Sequence, residues 1–186
     1  VNRREAVQHI ALLLGGAMVG SSALLTGCKT ETAKPTEWKP EDIVYLDEIA
    51  DTILPTTGTP GAKAAQVGQF MTVMVNDCYE ERDQKVFREG MDKLNALAKD
   101  KHGNGFVQLT PQQRHELLVA LDAEQKDYAG KKKPEDPAHY FRMMKELTLL
   151  GYFTSEIGST QARRHIPVPG SYKGCVPYQK GEKAYT

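Results

Sequence analysis

Apolar positions recur every three or four residues through most of this chain, the rhythm of helices that bury one face. Ile43, Leu46, Ile49, Ala50 and Ile53 predict a helix over 41–53, with Glu41 and Asp42 at the positive end of its dipole and Pro55 as its stop. A loop rich in Thr, Pro and Gly follows over 55–61. Val67, Phe70, Met71, Met74, Val75 and Cys78 then share a stripe, which predicts a second helix over 62–79 and turns Cys78 toward the core. Phe87, Met91, Leu94 and Ala98 predict a third helix over 81–101, closed by His102-Gly103-Asn104-Gly105, where glycine supplies a left-handed stop. Thr110-Pro111-Gln112-Gln113 sets an N-cap, a first-turn proline and a capping-box glutamine in register. It opens a fourth helix, running to about 128, that buries Leu117, Leu118 and Leu121. The charged, proline-broken loop 131–137 precedes a fifth helix that starts near Ala138 and carries Phe141, Met144, Leu147 and Leu150. Beyond Ile157 the regularity fades, with Pro167, Pro169, Gly170, Gly174 and Pro177 as breakers. No run has the strand period and no internal repeat appears. The pattern predicts an all-α fold, a small bundle of about five helices with an irregular C-terminal arm.

The first forty residues follow other rules. A charged start with Arg3 and Arg4, an apolar middle from Ile10 to Leu25 and a small-residue exit form the layout of an export signal. The apolar stretch is shorter than the roughly 20 residues a spanning helix needs, and glycines interrupt it. The paired arginines look like a twin-arginine leader, the type that exports folded proteins. A general secretory leader whose positive end holds two arginines is the alternative. Leu25-Thr26-Gly27-Cys28 resembles the bacterial lipobox, so Cys28 is expected to take a lipid and become the first mature residue. Two or three acyl chains, at about 0.8 kcal/mol per buried CH₂, hold a protein on a bilayer. The expected organisation is a signal peptide over 1–27, a polar lipid-anchored tether over 28–40, a helical domain over 41–157 and an extended arm over 158–186. The expected location is the periplasm or cell envelope.

Composition removes several function classes. Twenty-four Lys and Arg balance twenty-four Asp and Glu, so there is no cationic surplus for a general nucleic-acid binder. No glycine-rich nucleotide loop, nucleophile elbow or haem-attachment motif is present. None of the histidines outside the leader pairs at the four-residue spacing of a helical metal site, and His115-Glu116 lacks the second histidine, with Val119 in its place. Asp136 with His139, and Glu156 with Arg163, are more simply solvated charges than acid–base pairs. Met71, Met74, Met91, Met143 and Met144 sit at helical spacing and suit core filling. No catalytic, cofactor-binding or metal site is therefore expected on this chain. With Cys28 lipidated, Cys78 and Cys175 remain, and in an oxidising compartment they can pair or stay as two buried thiols.

Two C-terminal stretches combine aromatics with Gly and Pro, namely Gly151-Tyr152-Phe153-Thr154-Ser155-Glu156-Ile157-Gly158 and Gly174-Cys175-Val176-Pro177-Tyr178. An arm without regular structure must satisfy its backbone somewhere, on its own bundle or across a partner, where Tyr is favoured. Tyr152, Phe153, Tyr172, Val176, Pro177 and Tyr178 are the candidate contacts. At these stretches, with Leu46-Asp47-Glu48-Ile49-Ala50-Asp51-Thr52-Ile53-Leu54-Pro55 and Thr59-Pro60-Gly61-Ala62, the chain resembles the gluconate 2-dehydrogenase subunit 3 family over about 38–178. These are the small subunits of membrane-bound, FAD-dependent sugar and polyol dehydrogenases. The resemblance implies a large partner of the glucose–methanol–choline oxidoreductase type that holds FAD and abstracts hydride, and in many cases a cytochrome c subunit. It also implies a role as escort for a leaderless flavoprotein. The lipobox departs from many members and suggests that this chain also anchors the complex. A free-standing envelope lipoprotein that binds a ligand or envelope component is the alternative, and an enzyme in its own right is a third possibility.

Overall fold

The structure, a computed structural model, describes residues 37–168, 170–171 and 173–185. The expectations for Arg3, Arg4, Cys28 and Tyr172 fall outside these residues. Among the described residues there are five α-helices and no strand beyond one isolated bridge pair. They are α1 (Pro40–Ile53), α2 (Val67–Cys78), α3 (Glu81–His102), α4 (Pro111–Lys131) and α5 (Tyr140–Thr154). A 3₁₀ turn (Phe106–Gln108) precedes α4, and a π-helical turn (Gly158–Ala162) follows α5. No helix among the described residues is long and apolar enough to cross a membrane.

The last helix is the centre of the bundle. α5 touches each of the other four, so residues on several of its faces are buried: Phe141, Met143, Met144, Leu147, Thr148 and Tyr152. Thr148 has no exposed surface, yet its hydroxyl donates to the Met144 carbonyl at 2.8 Å and leaves no polar group unmet. Around α5 the expected stripes pack inward: Leu46, Ile49 and Ala50 from α1, Val67, Met71 and Val75 from α2, Phe87, Met91, Leu94 and Ala98 from α3, and Leu117, Leu118 and Leu121 from α4. Where α3 crosses α5, Gly90 lets the backbones meet. A Cβ there would lie 2.3 Å from Tyr140 Cβ, an atom that cannot swing aside. Gly90→Ala should therefore destabilise the domain by about 1–2 kcal/mol, overpacking outweighing the better helix propensity of alanine. Thermal or urea unfolding checks this, and equal or greater stability would contradict the close crossing.

Polar pins complete the frame. Glu48 on α1 accepts hydrogen bonds from Lys63 and from Arg114 on α4. Arg114 also donates to the carbonyls of Leu109 at 3.1 Å and Val107 at 2.7 Å, which fastens the 3₁₀ turn to the start of α4. That start carries the expected box: Gln113 N donates to Thr110 Oγ1 and Thr110 N donates to Gln113 Oε1. The residues just before α1 are fixed on the bundle, because the Trp38 ring lies 3.6 Å beneath the Arg88 guanidinium and edge-on to Phe87.

Three expectations are corrected. The second helix begins at Val67 rather than at 62. Gln66 is left-handed, with φ of 53°, and breaks a preceding turn, while Asp47 of α1 accepts from Gly68 N at 2.8 Å and caps the new helix from outside. Cys78 is exposed rather than turned to the core. It is the last residue of α2, beyond Val75, the final position the bundle covers. The pairing of Cys78 with Cys175 is not formed here; both are free and exposed thiols, and Cys78 Sγ instead lies 3.9 Å from Met74 Sδ.

Candidate partner-binding surface

The Gly151-to-Gly158 stretch forms a structural corner. Tyr152 is buried, and its hydroxyl donates to the Pro60 carbonyl at 2.7 Å, pinning the α1–α2 loop to the end of α5. Its expected role as a partner contact is corrected accordingly: the ring fills the core and its polar tip is satisfied within the chain. Ser155 Oγ donates to the Tyr152 carbonyl at 2.7 Å and accepts from Gly158 N at 3.0 Å. A Cβ on Gly158 would fall 1.8 Å from the Tyr152 carbonyl oxygen, so the chain closes this corner only with glycine. Phe153 is half-buried. One side meets Tyr152, with centroids 5.1 Å apart, and the Arg163 guanidinium covers it at 4.2 Å.

The arm beyond the corner is tied at both ends. Arg164 N donates to the Ala184 carbonyl at 2.8 Å, within an isolated parallel bridge between Arg164 and Tyr185. The Arg164 guanidinium lies 3.6 Å from Glu182 and 5.1 Å from the Tyr185 ring, and Lys183 donates to the Gln161 carbonyl. The intervening chain is therefore a loop closed at a neck, not a free tail. Its apolar side chains face water: Val168 is 82% exposed, Val176 63% and Tyr178 83%, and Pro177 is exposed beside them. Of the candidate contacts, Val176, Pro177 and Tyr178 lie together on this loop, Phe153 is partly covered at its root, and Tyr152 is withdrawn. The sequence reading took Arg163 for a solvated charge beside Glu156 and did not single out Arg164, yet Arg163 covers the root and Arg164 builds the neck. The contacts of Arg164 with Glu182 and Tyr185 span some twenty residues of irregular chain and leave no local periodicity.

Elsewhere Asp136 Oδ2 accepts from Lys133 N at 2.9 Å, and Glu116 accepts from Gln112 on the exposed face of α4. His139 lines an open groove of about 740 Å³ between α3 and α4, with Val86, Leu97, Tyr128 and Tyr140. Its Nδ1 accepts from Phe141 N at 3.3 Å and caps α5, and its Nε2 lies 3.5 Å from Glu124. Burial lowers the pKa of this imidazole, and the Glu124 carboxylate opposes that only in part. Burial also raises the Tyr140 phenol to about 12. Among the described residues no group of three or more His, Cys, Asp and Glu is placed to hold a metal.

The His139 shift has a sign. With its folded pKa below the ordinary 6.5, the unfolded chain binds more protons in that window, so stability falls as pH drops through about 6.5. Protonation also removes the acceptor that caps α5. His139→Asn keeps a capping acceptor and cannot titrate, so its melting temperature should fall less than the wild type's between pH 7 and pH 5. Identical pH profiles would contradict a buried neutral imidazole.

Comparison with known proteins matches residues 40–170 to the family described as gluconate 2-dehydrogenase subunit 3. No curated protein and no solved structure gives a match. The matched span runs from the first residue of α1 through the corner and into the arm.

Proposed function

Since this chain belongs to the gluconate 2-dehydrogenase subunit 3 family, we propose that it is the non-catalytic small subunit of a membrane-associated, FAD-dependent sugar or sugar-acid dehydrogenase. It escorts, stabilises and anchors a catalytic flavoprotein of the glucose–methanol–choline type. FAD and hydride chemistry reside in that partner, and a cytochrome c subunit accepts the electrons. The Arg3-Arg4 leader takes the assembled pair through the folded-protein route, and lipid on Cys28 holds it at the envelope.

One observation carries this reading. A bundle that satisfies its own core presents Val176, Pro177 and Tyr178 to water on a tied loop. An apolar cluster held out in this way is the kind of surface a second polypeptide completes. Deleting the chain from its host should leave the flavoprotein inside the cell and remove sugar-dependent dye reduction from the membrane fraction. Returning the wild-type chain should restore it, and returning Cys28→Ser should restore export but release the activity into soluble extracts. Unchanged membrane activity without the chain would contradict the proposal.

A further inference from the structure

We infer that the C-terminal arm is a preorganised basic loop that docks on an acidic face of the flavoprotein, with Lys173 and Lys180 flanking the Val176–Pro177–Tyr178 tip. The inference rests on the function proposed above and adds the chemistry of the surface recognised.

Charge is divided sharply within this neutral chain. Residues 41–157 carry twenty Asp and Glu against fourteen Lys and Arg, whereas residues 158–186 carry five Lys and Arg against Glu182 alone. Yet the arm does not lie down on its own acidic bundle. Val168, Val176 and Tyr178 keep most of their surface, and Lys173 and Lys180 are exposed. Three of the five cations already have work at the root: Arg163 covers Phe153, Arg164 meets Glu182 and Tyr185, and Lys183 meets the Gln161 carbonyl. That leaves Lys173 and Lys180 on either side of an apolar tip, the arrangement of a protein interface with an apolar centre and a charged rim. An anionic bilayer calls for a denser cluster, about four to eight cations together, so a protein surface fits better. The neck matters to affinity because a loop closed before docking loses less freedom on binding than an open tail.

The test uses the full chain in detergent, with the flavoprotein subunit as its ligand, and reads affinity across a salt series. Wild-type binding should weaken as salt rises. Lys173→Glu with Lys180→Glu should weaken it by roughly tenfold or more at low salt, with the gap narrowing at high salt. Lys101→Glu with Lys133→Glu, an equal charge change at two exposed positions of the bundle, should leave it nearly unaltered. A complex whose affinity ignores both salt and the arm reversal would overturn the inference while leaving the proposed function intact. So would a reversal that spares the flavoprotein but abolishes binding to phosphatidylglycerol vesicles. Failure of the wild-type pair to associate at any salt would overturn the function and the inference together.

Discussion

Glu48→Ala should cost the domain about 2 kcal/mol, between the values for exposed and for fully buried ion pairs that lose one partner. Glu48 and Arg114 each expose only 14% of their side chains. Through Arg114 this one carboxylate ties α1 to the 3₁₀ turn and the start of α4, and through Lys63 it holds the turn before α2. Removing it leaves the partly buried Arg114 charge with two carbonyls and without its carboxylate. For a domain of this size the melting temperature should fall by roughly 6 °C. Arg114→Met and the double variant close a cycle, and the coupling between the two sites should be favourable and well above 0.5 kcal/mol. Additive losses would contradict the hub. Burial raises the Glu48 pKa, but hydrogen bonds from Lys63 and Arg114, with their charges, outweigh it, so the net shift is downward. The stability it contributes is present above its ordinary pKa of 4.5 and fades as pH falls below that. Asp122, held at about 2 by hydrogen bonds from Lys126 and Lys145, acts in the same direction.

Val176→Asp with Tyr178→Ala should have the opposite profile. Both side chains are exposed, so the melting temperature should stay within the small range of surface substitutions, about 0.5 kcal/mol. Association with the flavoprotein should fall by thirtyfold or more, since a tyrosine in the centre of an interface commonly contributes about 2 kcal/mol or more. Size-exclusion chromatography of the mixed subunits reads the loss, and circular dichroism confirms an intact bundle. A variant that keeps its partner would remove the arm from the interface.

Much of the fold was legible because helical phase and punctuation agree in this chain. The Thr110–Gln113 box is a local device and needs no tertiary help, and the structure contains it as expected. The core stripes of α1 and α3 were legible for the same reason. The start of α2 was not, because a left-handed Gln66 and a cap from Asp47, distant in sequence, override local propensity there. Cys78 shares the phase of its stripe, but phase carries no information on where a neighbouring helix stops covering it. Tyr152 was misread although a signal existed. It stands four residues after Thr148 and eight after Met144, both on the buried side of α5, so helical phase alone would have withdrawn it from the surface. The neck of the arm had no such signal, since Arg164 finds Ala184, Glu182 and Tyr185 only once the chain has folded back.

The most direct measurement is affinity purification of the tagged full chain from detergent-solubilised membranes, followed by the absorbance spectrum and dye-reduction activity of the eluate. A large flavoprotein should elute in fixed ratio with this chain, bringing all of the flavin and all of the sugar-dependent activity. Elution as a lone monomer, or flavin and turnover retained by this chain after the partner is stripped away, would contradict the account.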